Sequence, residues 1–194
     1  MDEPRFLFLE GNPAWLDFVN TKFMLGDRLV DRLETWPDLV DWLHTAGLTD
    51  STAARSWNGR EALHRARKLR LALHDAAEQV RLKGVFPASA VRLLNEILES
   101  APGVHRLLPD SAGFRLRYEA APKKAADLLE PLARSAAEFL TRAELGRIRK
   151  CENHKCVLYF YDSTKNRGRR WCSMALCGNR MKAAAHYQRM KERE

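Results

Sequence analysis

Four cysteines, the whole complement of the chain, stand as Cys151-x4-Cys156 and Cys172-x4-Cys177 with fifteen residues between the pairs. Paired thiolates joined by a spacer long enough for a hairpin can converge tetrahedrally on one Zn²⁺. Four thiolates close the coordination shell and leave no open position for a substrate, so one structural zinc per chain is expected and a catalytic one is not. The chain opens Met1-Asp2-Glu3-Pro4-Arg5, without the basic and apolar regions of a secretory leader. A cytoplasmic protein with reduced thiols is therefore expected, and disulfides are not. An iron centre or a thiol redox pair more typically uses C-x-x-C. His154, inside the first pair, stands beside a complete cysteine set and reads as a solvated loop residue.

Charge points to the same stretch. Residues 147–194 hold 13 Lys and Arg against 4 Asp and Glu, whereas residues 1–146 hold 20 against 21. The formal excess of +8 thus lies with the cysteines. Clustered cations neutralise phosphates and release counterions, which makes duplex DNA the expected partner; a solvated basic face and an anionic membrane contact are the plainer uses of the same charge. The candidate contacts are Lys165, Arg167, Arg169 and Arg170 in the stretch between the cysteine pairs, and Lys182, Arg189 and Arg193, with His186, along one face of a C-terminal helix. Tyr159, Phe160, Tyr161 and Trp171 can stack on bases, but so small a module needs aromatics for its own core beside the metal.

Around these residues the sequence predicts mostly helices. Arg5–Glu10 reads as a short strand ended by Gly11-Asn12, and Asn12 and Pro13 then open a helix carrying Trp15, Phe18 and Val19. Thr35, Trp36 and Pro37 open a second helix that Gly47 stops. A long apolar stripe from Leu63 to Val80 predicts a helix over about 59–83, and another covers 88–100. Val104–Leu108 and Phe114–Tyr118 read as a half-exposed antiparallel hairpin, followed by a helix over about 123–145. Near Gly146 charge and cysteine content both change, dividing the chain into residues 1–146 and 147–194. In the second part Val157–Tyr161 and Arg169–Cys172 read as hairpin strands, and Cys177-Gly178-Asn179 opens the last helix. The expected class is α+β: a mostly helical N-terminal domain followed by a small treble-clef-like zinc ribbon.

No run of about 18 apolar residues is present, so no membrane-spanning helix is expected. Phosphate loops, H-E-x-x-H and nucleophile elbows are absent too, and no enzyme is expected. Asp17, Asn20 and their polar neighbours are the one conceivable pocket, although such residues more often cap helices or hold ion pairs. A DNA-binding transcription regulator is the leading reading, with a protein-interaction or RNA-binding module as its rival. A dimer would suit a DNA reader, although no heptad repeat occurs. A small-molecule effector would have to bind residues 1–146, because the zinc shell is closed and the finger is small.

Arg170-Trp171-Cys172-Ser173-Met174-Ala175-Leu176-Cys177-Gly178-Asn179-Arg180 resembles the signature of the CGNR zinc-finger family. Gly11-Asn12-Pro13-Ala14-Trp15-Leu16-Asp17-Phe18-Val19-Asn20-Thr21 resembles the opening motif of the ABATE domain, which precedes that finger in bacterial proteins proposed to regulate stress-induced transcription. The resemblance implies an α+β first domain, a treble-clef-like finger with Cys151, Cys156, Cys172 and Cys177 as zinc ligands, a DNA-binding role and no established enzyme activity. Within the signature, Asn179 would cap the final helix and Arg180 would tie finger carbonyls together.

Overall fold

The computed structural model describes residues 5–50, 52–111 and 113–191. Its spine is α3, Arg60–Lys83, whose stripe of Ala62, Leu63, Ala66, Leu69, Leu73, Ala76, Ala77 and Val80 is buried. That spacing places one apolar face toward the core for almost seven turns. Against it pack α1 (Ala14–Val19), α2 (Trp36–Thr45) and α4 (Ala88–Ser100). α2 begins at a capping box in which the Thr35 side chain accepts from Asp38 N and the Asp38 carboxylate accepts from Thr35 N. α5 (Glu130–Arg142) packs on α4 and α1. It is shorter than the periodicity predicts, because the Asp127 carboxylate accepts from the Lys123 and Lys124 amides and winds residues 125–129 into a 3-10 turn first.

The described residues also form three two-stranded antiparallel sheets: β1 (Lys22–Leu25) with β2 (Arg28–Asp31), β3 (Gly103–Asp110) with β4 (Gly113–Ala120), and β5 (Ile148–Lys150) with β6 (Tyr159–Tyr161). The first pair has no counterpart in the sequence pattern. Residues 5–10, whose pattern predicts a strand, form none, and the Leu9 amide goes to the Asp17 carboxylate at 3.2 Å. In the finger, β6 pairs upstream with β5 rather than downstream with Arg169–Cys172. The Asp162 carboxylate gathers the Thr164 and Arg169 amides at 3.0 Å each, which curls the intervening chain into a loop.

The buried side chains form two clusters, and the finger contributes to both. Ile148 and Tyr159 join the large helical core. Leu9, Phe23 and Val30 of the first part join Cys151, Leu158, Phe160, Cys172 and Cys177 in a second one. No described helix is long and apolar enough to cross a membrane.

Candidate metal centre and basic face

The four thiols converge. Their sulfur atoms lie within 4.8 Å of one another, and Cys156 Sγ is 3.9 Å from Cys172 Sγ. Sulfurs at Zn–S bond lengths of about 2.3 Å stand about 3.8 Å apart on a tetrahedron. The set therefore fits zinc, and its cysteines are free rather than disulfide-bonded. Crowded together, three of the thiols shift one another: hydrogen bonds from Cys156 and Cys172 drive Cys151 down, and the hydrogen bond to Cys151, with burial, pushes Cys156 and Cys172 up. A divalent cation is what allows all four to ionise together. His154 is exposed and is not part of the set.

Local chain geometry presents each sulfur. Asn153, buried in the first knuckle, donates from Nδ2 to Cys177 Sγ at 3.3 Å, and its own carbonyl accepts from Cys156 N at 2.8 Å. It therefore couples the two knuckles, a role that nothing in its sequence position signals. Cys172 N donates to Cys151 Sγ at 3.4 Å. In the second knuckle the Ser173 hydroxyl accepts from Leu176 N, so Ser173 holds the cap position expected of Asn179, one turn earlier. Residues 174–178 form a π turn leading into α6, Asn179–Lys191. A Cβ on Gly178 would stand 2.5 Å from Met174 Sδ, so a larger residue there requires the exposed Met174 side chain to swing aside. Arg180 donates from Nε to the Leu176 carbonyl at 2.5 Å with a second nitrogen 4.0 Å from Cys177 Sγ, the carbonyl-tying role expected of it.

The finger's central strand is completed by the first part of the chain. On one edge β6 pairs with β5. On its other edge, where Tyr159 and Tyr161 point their backbone groups, no strand lies among the described residues; side-chain amides take its place. Asn20 accepts from Tyr159 N at 3.0 Å and donates to Tyr159 O at 2.8 Å, the pattern a partner strand would supply. Asn12 accepts from Tyr161 N at 2.8 Å and donates to Asp17 Oδ1 at 2.8 Å. Gly11, at φ +80°, lets the chain pass close enough that a Cβ there would meet Ser163 Oγ at 2.5 Å. From α3, the Glu78 carboxylate accepts the Tyr159 hydroxyl at 2.6 Å. Asp17 and Asn20, the conceivable pocket of the sequence, are buried and turned to this internal use.

Burial pushes Asp17 up to about 6 against the pull of Asn12, the Leu9 amide and the Arg169 charge. Glu78 goes the other way, to about 2, chiefly through its hydrogen bonds with Arg81 and Tyr159. Burial alone would raise Asp162, but the Thr164 hydroxyl, two amides and the Arg149 charge outweigh it and hold the carboxyl below its usual range.

The candidate cations fall into three groups. Arg169 is internal: it stacks over Phe160 at 4.6 Å and donates to the carbonyls of Glu10, Trp171 and Cys172. Arg167 and Arg170 are exposed but paired, with Glu144 at 2.7 Å and Glu152 at 2.6 Å. Lys165, Lys182 and Arg189 are exposed and have no ion pair among the described residues. Arg193 lies outside the described residues. Of the four aromatics, Tyr159 and Phe160 are core, and Tyr161 and Trp171 are half-buried. α6 itself buries no residue and, from Asn179 to Lys191, holds four cations and no carboxylate. A groove of about 640 Å³ runs between it and Glu152, Arg170 and Trp171, with Lys182, His186 and Arg189 on the helix side. A further one of about 890 Å³ lies where residues 7–10 meet the finger, so space for a small molecule is not confined to residues 1–146.

A family model for ABATE, described as a putative stress-induced transcription regulator, matches residues 12–143. The chain belongs to the ABATE family. A second model, the CGNR zinc finger, matches residues 147–190. No curated protein matches the chain. The opening ABATE motif thus contains the clamp on the free edge of β6, Asn12 and Asn20, together with Asp17, which holds Asn12, and the signature CGNR holds one zinc ligand, the glycine beside Met174, the start of α6 and the arginine on the knuckle carbonyl. Neither matched family is enzymatic.

Proposed function

We propose that this ABATE protein is a cytoplasmic DNA-binding transcription regulator in which residues 147–194 contact duplex DNA through α6 and residues 1–146 supply regulation, whether by effector binding or by dimerisation. The observation that carries this reading is α6: a 13-residue helix with no buried residue, four cations and no acid. A helix whose apolar face is packed hides that face, whereas this one, with only Met181 half-buried, leaves its cations open to a partner. At 1.5 Å per residue it is about 20 Å long, and the major groove admits a helix of this kind. Lys182 and Arg189 are the proposed phosphate contacts on it, with Lys165 on the neighbouring loop and Arg167 and Arg170 reached by exchanging a carboxylate for a phosphate. Arg169 acts by bracing the finger.

Titration of a short duplex at several salt concentrations tests the proposal. Wild-type affinity should fall steeply with salt, and replacing Lys182 and Arg189 together by Ala should lower the slope of log affinity against log salt by about 1.8, roughly 0.9 for each phosphate no longer neutralised. Zinc content should not change, since neither residue is a ligand. Unaltered affinity and slope in the double variant would remove α6 as the contact, and absence of duplex binding by the wild type would turn the finger toward a protein or RNA partner.

A further inference from the structure

A cavity of about 630 Å³ lies where α3, the β1–β2 hairpin and the chain just past Cys156 meet, and neither the metal site nor α6 uses it. One face of α3 supplies a wall, since Arg67, Arg70, Leu71 and His74 recur at helical spacing. β1 adds Lys22, β2 adds Leu29 and Asp31, and the finger adds Val157. The volume is that of a recess for a small organic molecule.

Its charges divide into a matched pair and two unmatched cations. Arg70 is buried and fixed: its terminal nitrogens donate to the two Asp31 oxygens at 2.5 and 2.7 Å and to the Thr21 hydroxyl at 2.8 Å. Burial alone would raise Asp31, but Arg70, the Leu33 amide and the Lys22 charge outweigh it and hold the carboxyl below its usual range. Asp31 is therefore an anion already satisfied by Arg70. Lys22 is exposed and has no ion pair among the described residues. Arg67 is exposed too; its Nε and Nη2 brace the Leu33 and Glu34 carbonyls, and no described carboxylate meets its guanidinium. Beside these cations Leu29 and Leu71 are 50% and 63% exposed.

We propose that this cavity binds a small organic acid, with Lys22 and Arg67 holding its carboxylate and Leu29, Leu71 and Val157 covering its apolar body. Hydrogen bonds from an ammonium and a guanidinium to a carboxylate are charge-assisted, about twice as strong as neutral ones. An inorganic anion would satisfy the cations but leave both leucines wet. A multiply charged ligand would meet the ionised Asp31 in the same recess, and like charges there repel. A neutral one would leave Lys22 and Arg67 without a counter-charge. Because Val157 adjoins the zinc ligand Cys156, an occupant would touch the first part of the chain and the finger together. The site gives the effector branch of the regulatory reading a ligand class; its test uses no DNA, so either can fail without the other.

Methyl-resolved NMR of the zinc-loaded full chain, titrated with 3-phenylpropionate and with octanoate, tests the site. 3-Phenylpropionamide and inorganic phosphate serve as comparisons. At least one acid should shift the methyl signals of Leu29, Leu71 and Val157 with a dissociation constant below about 1 mM. The amide and phosphate should bind at least about tenfold more weakly, the loss expected for one charge-assisted contact. Lys22→Glu and Leu71→Glu, both at exposed positions, should each weaken the acid by about tenfold or more, with circular dichroism and zinc content unchanged. Failure of both acids to shift these methyls up to about 10 mM overturns the proposal. So does equal binding of the amide or of phosphate, full affinity in either variant, or shifts confined to Leu7 and Met174 in the other groove.

Discussion

The finger and the β3–β4 ribbon each contain one two-stranded sheet, yet their strand lengths run opposite to their integration. β5 and β6 are three residues each, and Tyr159 and Phe160 of β6 are almost wholly buried. β3 and β4 are eight residues each, and the apolar face they build stands in solvent beyond its root. The short pair is held by what surrounds it: thiols on one side, the asparagine amides on the free edge of β6, and a cluster that mixes Leu9, Phe23 and Val30 with finger residues. The long pair is held by its own ladder. Secure placement of a strand thus comes from partners distant in sequence, and ladder length substitutes poorly for them.

The contrast is broken most forcefully at the metal. Metal analysis of reduced protein should find one zinc per chain; iron with visible absorption, or no metal, would contradict the site. Cys172→Ser should abolish zinc binding and unfold much of the finger, since structural zinc contributes on the order of 10 kcal/mol to modules of this size. Next comes the clamp. Asn20→Ala strips partners from both the amide and the carbonyl of buried Tyr159, and should cost about 2 to 5 kcal/mol in chemical denaturation at one or two unsatisfied groups. A cost below about 0.5 kcal/mol would mean that water replaces the side chain and that the edge is not closed as described.

Asp17 offers a finer adjustment of the same region. Its folded value, about 6, lies above the ordinary 3.8. The neutral form is therefore favoured by folding, so its contribution is fullest below about 3.8, declines as the pH rises to about 6, and is flat above that. Asp17→Asn keeps an acceptor for Leu9 N and removes the titration. Wild-type stability relative to this variant should fall by up to about 3 kcal/mol between about pH 4 and about pH 6.5, at 1.36 kcal/mol per unit. Comparing the pair at matched pH cancels zinc release by acid, because neither residue is a ligand. A flat difference would show that Asp17 is ionised in the fold at no cost. The smallest effect belongs to the ribbon: in dilute protein Leu116→Asp should change stability by no more than about 0.5 kcal/mol, as for other exposed positions.

Legibility in the sequence follows the range of the interactions. The cysteine set, the stripe of α3, the opening of α2 at Thr35, Trp36 and Pro37 and the bounds of α4 depend on neighbours within a few residues, and each is readable. The roles of Asn12 and Asn20 depend on Tyr159 and Tyr161, 139 to 149 residues away, and no local pattern announces them. The pairing of β5 with β6 escapes a reading of the sequence because a three-residue strand carries no periodicity. Arg169 looks like any loop cation until Phe160 and three carbonyls are placed around it. Alternation along 114–118 does reveal a ribbon with two faces; only the fold shows how little covers the apolar one.

The central claim is that metal and asparagine amides together build the finger into the first domain as a fixed platform for α6. Amide hydrogen exchange of the full chain before and after zinc chelation tests it directly. Loss of protection should spread from residues 148–178 into residues 7–12, α1 and the β1–β2 hairpin, whose Phe23 and Val30 share a buried cluster with the thiols, while α4 and the β3–β4 ribbon keep their exchange rates. Loss confined to residues 147–191 would contradict the account and leave the finger a separate module that merely rests on its neighbour.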